Sequence, residues 1–223
     1  MAQYPLPFAH RPSLLGEDFL VGSCNAEAIA WIDRWPDWPH AALMVVGPPG
    51  AGKTHLAAVF AARSGAVMAG SRTMTARSVG ALANADAIIL DDADGLFAGS
   101  EAETSLFHLL NRLVGTRGRL LLTARTAPAR WDLSLPDLSS RLNALPMALI
   151  GAPDDSLLSA LLLKQFADRQ LQVGDDEIRF LVARMERSFD AARRIVGAID
   201  RRALAEGRPI TIPLLRSLLP NED

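Results

Sequence analysis

The chain has 223 residues, with 23 basic and 25 acidic side chains and a net charge of −2, which gives no wholesale attraction to nucleic acid or to an anionic membrane. A single cysteine, Cys24, excludes an internal disulfide and fits a reducing compartment. No apolar run nears the roughly 20 residues that cross a bilayer, and the N-terminus lacks the basic start and apolar core of a signal peptide, so a soluble, cytoplasmic protein is expected.

Residues 1–17 read as an extended arm, because Pro5, Pro7 and Pro12 block regular structure. Inside it, Gln3-Tyr4-Pro5-Leu6-Pro7-Phe8 offers a Gln anchor, a central Leu and a terminal aromatic. Such a peptide either docks in a partner's groove or packs on the body of its own chain. Phe19, Leu20 and Val21 follow, then an amphipathic helix through about Trp35. Residues just upstream of a phosphate loop often wall the base of a nucleotide, so these three are base-pocket candidates, with ordinary core packing as the alternative.

The strongest signal comes next. The apolar run Ala42-Leu43-Met44-Val45-Val46 has strand length and feeds Gly47-Pro48-Pro49-Gly50-Ala51-Gly52-Lys53-Thr54-His55, after which Leu56 to Phe60 are helix-prone. Gly47, Gly52, Lys53 and Thr54 fit G-x-x-x-x-G-K-[ST], the phosphate-binding loop, in the strand–loop–helix setting that the motif needs. Pro49, Gly50, Ala51 and His55 complete the stretch. Glycines let backbone N–H groups curl round phosphate oxygens, and the helix N-terminus adds partial positive charge. Lys53 can reach the β and γ phosphates, and the Thr54 hydroxyl can hold Mg²⁺. Lys53 and Lys164 are the only lysines in a chain that otherwise uses arginine. A compact ammonium fits inside a backbone nest where a planar guanidinium does not.

A short strand near 66–69 and a short helix near 74–82 lead to Ala85-Asp86-Ala87-Ile88-Ile89-Leu90-Asp91-Asp92-Ala93-Asp94. Four apolar residues ending in acids describe a buried parallel strand with carboxylates at its C-terminal edge, where ligands of open α/β sheets sit. Asp91 is a candidate for binding Mg²⁺ through water, and Asp92 for orienting or activating the attacking water. A helix over 101–114 precedes Arg119-Leu120-Leu121-Leu122-Thr123-Ala124, a second buried strand whose Thr123 is placed to contact the γ-phosphate or the water. Residues 135–142 form a short helix before a strand over 145–150, and Arg141 on that helix is a candidate for completing a neighbour's site. From Pro153 on the pattern is all-helical: Asp154 or Asp155 caps one helix, Gly174 to Glu177 begins a second, 188–204 makes a third, and a last one starts at Pro213.

These elements in this order resemble the AAA+ ATPases, and within them the nucleotide-binding domain of the replication initiator DnaA, from about Phe19 to Leu219. Leu106-Phe107-His108-Leu109-Leu110-Asn111 resembles the initiator's helix after its paired acids, and Leu138-Ser139-Ser140-Arg141-Leu142 is similar to its arginine-finger box. The resemblance implies an α/β AAA+ P-loop core, a parallel sheet sandwiched by helices, with a small helical lid. The division expected is an arm over 1–17, a core over 18–151 and a lid over 152–223. It further implies that Arg141 acts in trans on a neighbouring subunit's nucleotide. Arg193, by register on Gly197-Ala198-Ile199, takes the second-sensor role.

The chain stops after the lid, where the initiator continues into a DNA-binding domain, and its arm resembles the hexapeptide that binds the sliding clamp. That combination resembles the DnaA-related regulators that inactivate the initiator after replication starts. The expectation is a protein tethered to the DNA-loaded clamp through Gln3, Leu6, Pro7 and Phe8. It stimulates hydrolysis of DnaA-bound ATP, holds its own ADP (or ATP) with Mg²⁺, self-associates as a dimer or higher oligomer, and makes no sequence-specific DNA contact of its own. One residue departs from the pattern: Arg125 stands where an acidic residue belongs, which separates nucleotide binding from hydrolysis. The rival readings are an AAA+ ATPase acting on its own, such as a helicase loader, and a non-catalytic initiator-like adaptor.

Overall fold

The computed structural model describes residues 20–70, 74–95 and 100–219. Five parallel strands, β1 (Ala42–Val46), β2 (Val67–Ala69), β3 (Ala87–Leu90), β4 (Arg119–Ala124) and β5 (Met147–Leu149), form one sheet in the order β2-β3-β4-β1-β5. Central β1 pairs with β4 from Ala42↔Leu120 to Val46↔Ala124 and with β5 from Met44↔Met147 to Val46↔Leu149. Such runs of apolar residues are what a strand buried on both faces requires.

Period-two alternation then sorts the helices. Leu43, Val45, Ile89 and Leu121 face a cluster with Ala28, Ile29 and Ile32 of α1 (Ala26–Asp33) and with Leu56 and Phe60 of α2 (Lys53–Ser64). Met44, Ile88, Leu90, Leu120 and Leu122 face the other way, onto α3 (Ser78–Leu82), α4 (Ser100–Leu113) and α5 (Pro136–Asn143). The result is the three-layer α/β/α core expected from the strand pattern. Four further helices, α6 (Asp155–Asp168), α7 (Asp175–Val182), α8 (Phe189–Glu206) and α9 (Ile212–Leu218), bury their own cluster of Leu158, Leu162, Phe166, Leu181, Val196 and Leu215. No described helix is long and apolar enough to cross a membrane.

Local chemistry sets the boundaries. Asp154 caps α6 by accepting the Leu157 N–H at 2.8 Å, and Ser188 caps α8 through Ala191 N–H at 3.1 Å. Two elements are shorter than the pattern suggested. The helix expected to reach Trp35 ends at Asp33, and the one expected from Met74 begins at Ser78. In the second case the Ser78 hydroxyl bonds back to Thr75, taking its N–H at 3.0 Å and donating to its carbonyl at 2.9 Å, so the chain turns before the helix starts.

A buried carboxylate ties the segment leading into α5 to α4. Glu103, 2% exposed, accepts the Ser134 N–H at 3.1 Å and also the Ser134 hydroxyl. Glu103→Ala leaves that N–H without its carboxylate and is expected to cost about 1–3 kcal/mol. Urea unfolding of the two proteins measures the difference, and equal midpoints with equal slopes would contradict it.

Candidate nucleotide-binding site

The loop between β1 and α2 lies at the C-terminal edge of the sheet, beside the ends of β3 and β4. Gly50 and Gly52 take φ of +76° and +83°, the left-handed conformation that costs glycine least. At Gly50 a side chain would also be crowded: a Cβ there would lie 3.0 Å from the Asp190 backbone nitrogen and 3.2 Å from the Phe189 carbonyl carbon. The loop is therefore pressed backbone to backbone against the start of α8. Lys53, 6% exposed, opens α2, and its ammonium donates to the carbonyls of Gly47 (2.8 Å) and Pro48 (3.0 Å). Burial pushes the Lys53 pKa down, the Asp92 and Asp94 carboxylates oppose that shift, and the Arg125 guanidinium adds to it.

Two recesses meet at this loop. A polar cleft of about 330 Å³ is lined by Pro49 to His55 together with Asp92, Arg125 and Arg193. An apolar pocket of about 160 Å³ lies on its other side, lined by Leu20, Asn25, Gly50 to Gly52, His55 and, from the helices beyond β5, Leu157, Leu161, Lys164, Gln165, Asp168 and Phe189. Phosphates need donors and cations and a base needs an apolar slot, so one nucleotide lying across the loop fits the pair. Glycine backbone that approaches without side chains, with a buried ammonium inside the turn, is the donor set that a polyphosphate calls for.

The structure brings Pro49, Gly50, Ala51, Gly52, Lys53, Thr54, His55, Asp92 and Arg193 to the cleft and Leu20 to the apolar pocket. Gly47 lies behind the loop, its carbonyl holding Lys53. Val21 packs against the core cluster under α1 and lines neither recess. Asp91 and Thr123 bond to each other: the buried Thr123 hydroxyl donates to the Asp91 carboxylate and accepts the Asp92 N–H at 2.9 Å. A hydroxyl used twice in this way is not aimed at a terminal phosphate. Among the described residues no cluster of three or more His, Cys, Asp or Glu side chains could hold a metal alone. Mg²⁺ at Thr54 and Asp91 would take further oxygens from phosphate and water. Arg141 lines neither recess, and its guanidinium lies over the Phe107 ring, 5.6 Å from the centroid. Gln3, Leu6, Pro7, Phe8 and Phe19 lie outside the described residues.

Of the neighbouring arginines on α8, Arg193 is the one that reaches the cleft, paired with Asp190 at 2.8 Å, while Arg194 bonds to Asp190 (3.2 Å) and Glu186 (3.6 Å). The apolar pocket's lining from α6 has no motif that marks it in the sequence. One available signal pointed there: Lys164, the second of the two lysines, lies in that pocket.

Comparison with known proteins places this geometry. Residues 154–219 match the model of the Hda lid domain. An uncharacterized protein of Haemophilus influenzae is 26% identical over 185 residues, 78% of this chain and 79% of that protein. Domain III of the Thermotoga maritima replication initiation protein DnaA superposes with a TM-score of 0.73 at 18% identity, over 91% of this chain and 95% of that one. AMPPCP-bound DnaA from Aquifex aeolicus gives 0.69 at 16% identity, over 85% of this chain and 64% of that one. The lid model and the fold shared with the initiator agree with the order of elements: residues 154–219 are similar to the Hda lid domain, and the core and lid have the fold of DnaA domain III.

Proposed function

We propose that this protein is a regulator of DnaA that binds an adenine nucleotide and stimulates hydrolysis of the ATP held by DnaA. The observation that carries the reading is the position of Arg141. It projects from α5 outside the cleft of its own chain, so a role in nucleotide chemistry belongs at a second chain's site. There it contacts the transferring phosphoryl group as charge spreads over its oxygens.

The chain's own loop keeps a nucleotide that joins core to lid: the phosphates lie on the Lys53 cradle under Arg193, and the base lies between the loop and α6. That nucleotide is ADP in the resting regulator, with Thr54 and Asp91 as the residues that would hold Mg²⁺, whose chemistry is to shield phosphate charge. Gln3 to Phe8 tether the body to the clamp on newly replicated DNA, and tethering raises effective concentration so that a weak peptide contact suffices. Self-association, as a dimer or larger assembly, follows from a site that needs a neighbour.

The direct test loads DnaA with labelled ATP and adds this protein with clamp on nicked DNA. Release of phosphate well above DnaA alone supports the proposal. Rapid turnover by the isolated protein without DnaA would favour the self-acting ATPase instead. Clamp tethering has its own check: Gln3→Ala with Leu6→Ala is expected to reduce clamp capture at least about tenfold while nucleotide affinity stays unchanged. Undiminished capture would remove the arm from the mechanism.

A further inference from the structure

The apolar pocket is graded along α6. Leu157, Leu161, Lys164, Gln165 and Asp168 recur at helical spacing on the face that borders it, the leucines toward the start of the helix and the polar residues at its end. A flat ring entering between the phosphate loop and this face meets leucine first and polar groups at one edge. Most polar groups of the lining are already engaged. Asn25 donates to the Leu20 carbonyl at 2.9 Å and accepts the Gly22 N–H at 2.8 Å. The Lys164 ammonium donates to both carboxylate oxygens of Asp168, at 3.3 and 3.2 Å. Gln165 differs: its Oε1 is closed off from solvent, and among the described residues no donor bonds to it. A buried acceptor without a donor is unfavourable, and a donor carried in by a ligand removes the deficit. The last torsion of a glutamine is broad, so rotation about one bond turns the oxygen from the pocket wall to a ring edge.

We propose that Gln165 reads the base of the nucleotide, its Oε1 accepting an N–H of the exocyclic 6-amino group of adenine. The inference rests on the reading of the loop and its two recesses as a nucleotide site. A purine has apolar faces and carries its polar atoms on the ring edge. The faces therefore belong against Leu157, Leu161 and the loop backbone, and the edge belongs at Gln165. A 6-amino group supplies the donor that this oxygen lacks. A hydrogen at that position supplies none, and a 6-oxo group sets acceptor against acceptor.

The experiment uses the full chain stripped of nucleotide and measures its affinity by calorimetry for three ligands: ADP, purine riboside diphosphate (hydrogen in place of the 6-amino group) and inosine diphosphate (oxygen there). Wild type is expected to bind ADP about tenfold more tightly than either of the others. Gln165→Met keeps the length of the side chain without its amide. It is expected to lose about tenfold for ADP and less than about twofold for the purine riboside compound, so that the preference disappears. Gln165→Glu keeps an acceptor and keeps the preference. Because two ligands are compared on one protein, any general change that a substitution makes to the pocket cancels. Equal affinities of wild type for ADP and the 6-hydrogen compound overturn this inference alone. So does an inosine compound that binds more tightly than ADP, or a preference that survives in Gln165→Met. A wild-type chain that binds none of the three overturns the nucleotide reading and this inference with it.

Discussion

Replacing Lys53 with Ala is expected to weaken ADP binding by at least about a hundredfold, because it removes the one cation inside the phosphate turn. In the free protein that ammonium is held by the carbonyls of Gly47 and Pro48, and burial holds its pKa below the ordinary value. A bound polyphosphate supplies the counter-charge and raises that pKa again. A lysine with a lowered folded pKa takes up fewer protons than the unfolded chain as pH rises. Its burial therefore costs stability at neutral pH, and the cost fades as pH climbs from the lowered value towards 10.5. Nucleotide binding follows the opposite course and weakens as Lys53 loses its proton. Thermal melts give the readout. Wild type gains about 2.7 kcal/mol at ADP a hundred times its Kd, and Lys53→Ala gains about 0.4 kcal/mol or less at the same concentration. The substitution also takes the donor from the Gly47 and Pro48 carbonyls, so the ADP-dependent shift and not the nucleotide-free Tm is the readout. An undiminished ADP-dependent rise in Tm would refute the cradle assignment.

The second large effect belongs to Arg141. Arg141→Ala is expected to reduce the stimulation of DnaA-bound ATP hydrolysis by about 10³–10⁵, the range for loss of an arginine finger. The variant's own nucleotide affinity should not change, since Arg141 lies outside both recesses. Arg141→Lys should recover little, because a point charge does not reproduce the planar fork that two phosphoryl oxygens accept. Together the two variants separate the sites: Lys53→Ala loses the resident nucleotide, and Arg141→Ala keeps it and loses the effect on DnaA. If Arg141→Ala still drives DnaA to full rate, the finger lies elsewhere. The Glu103–Ser134 bond, which ties the segment leading into α5 to α4, would then be a support for the fold only.

Sequence alone determined what depends on near neighbours. The strand, glycine turn and lysine of the phosphate loop are all contiguous, and the unbroken apolar runs of β1, β3 and β4 were enough to imply a sheet covered on both faces. The α6 cap was legible for the same reason as a choice between Asp154 and Asp155, and it is Asp154 that bonds three residues along the chain. Tertiary structure decided everything that couples distant segments. It brought the backbone of Phe189 and Asp190 against Gly50, and it carried Arg193 from α8 to the cleft. It supplied Leu157, Leu161 and Gln165 as lining for the apolar pocket. It also engaged the Thr123 hydroxyl with Asp91 and Asp92, leaving Arg125 beside Asp92. No periodicity encodes those pairings, because which side chains meet at a sheet edge depends on strand order and on how the lid packs.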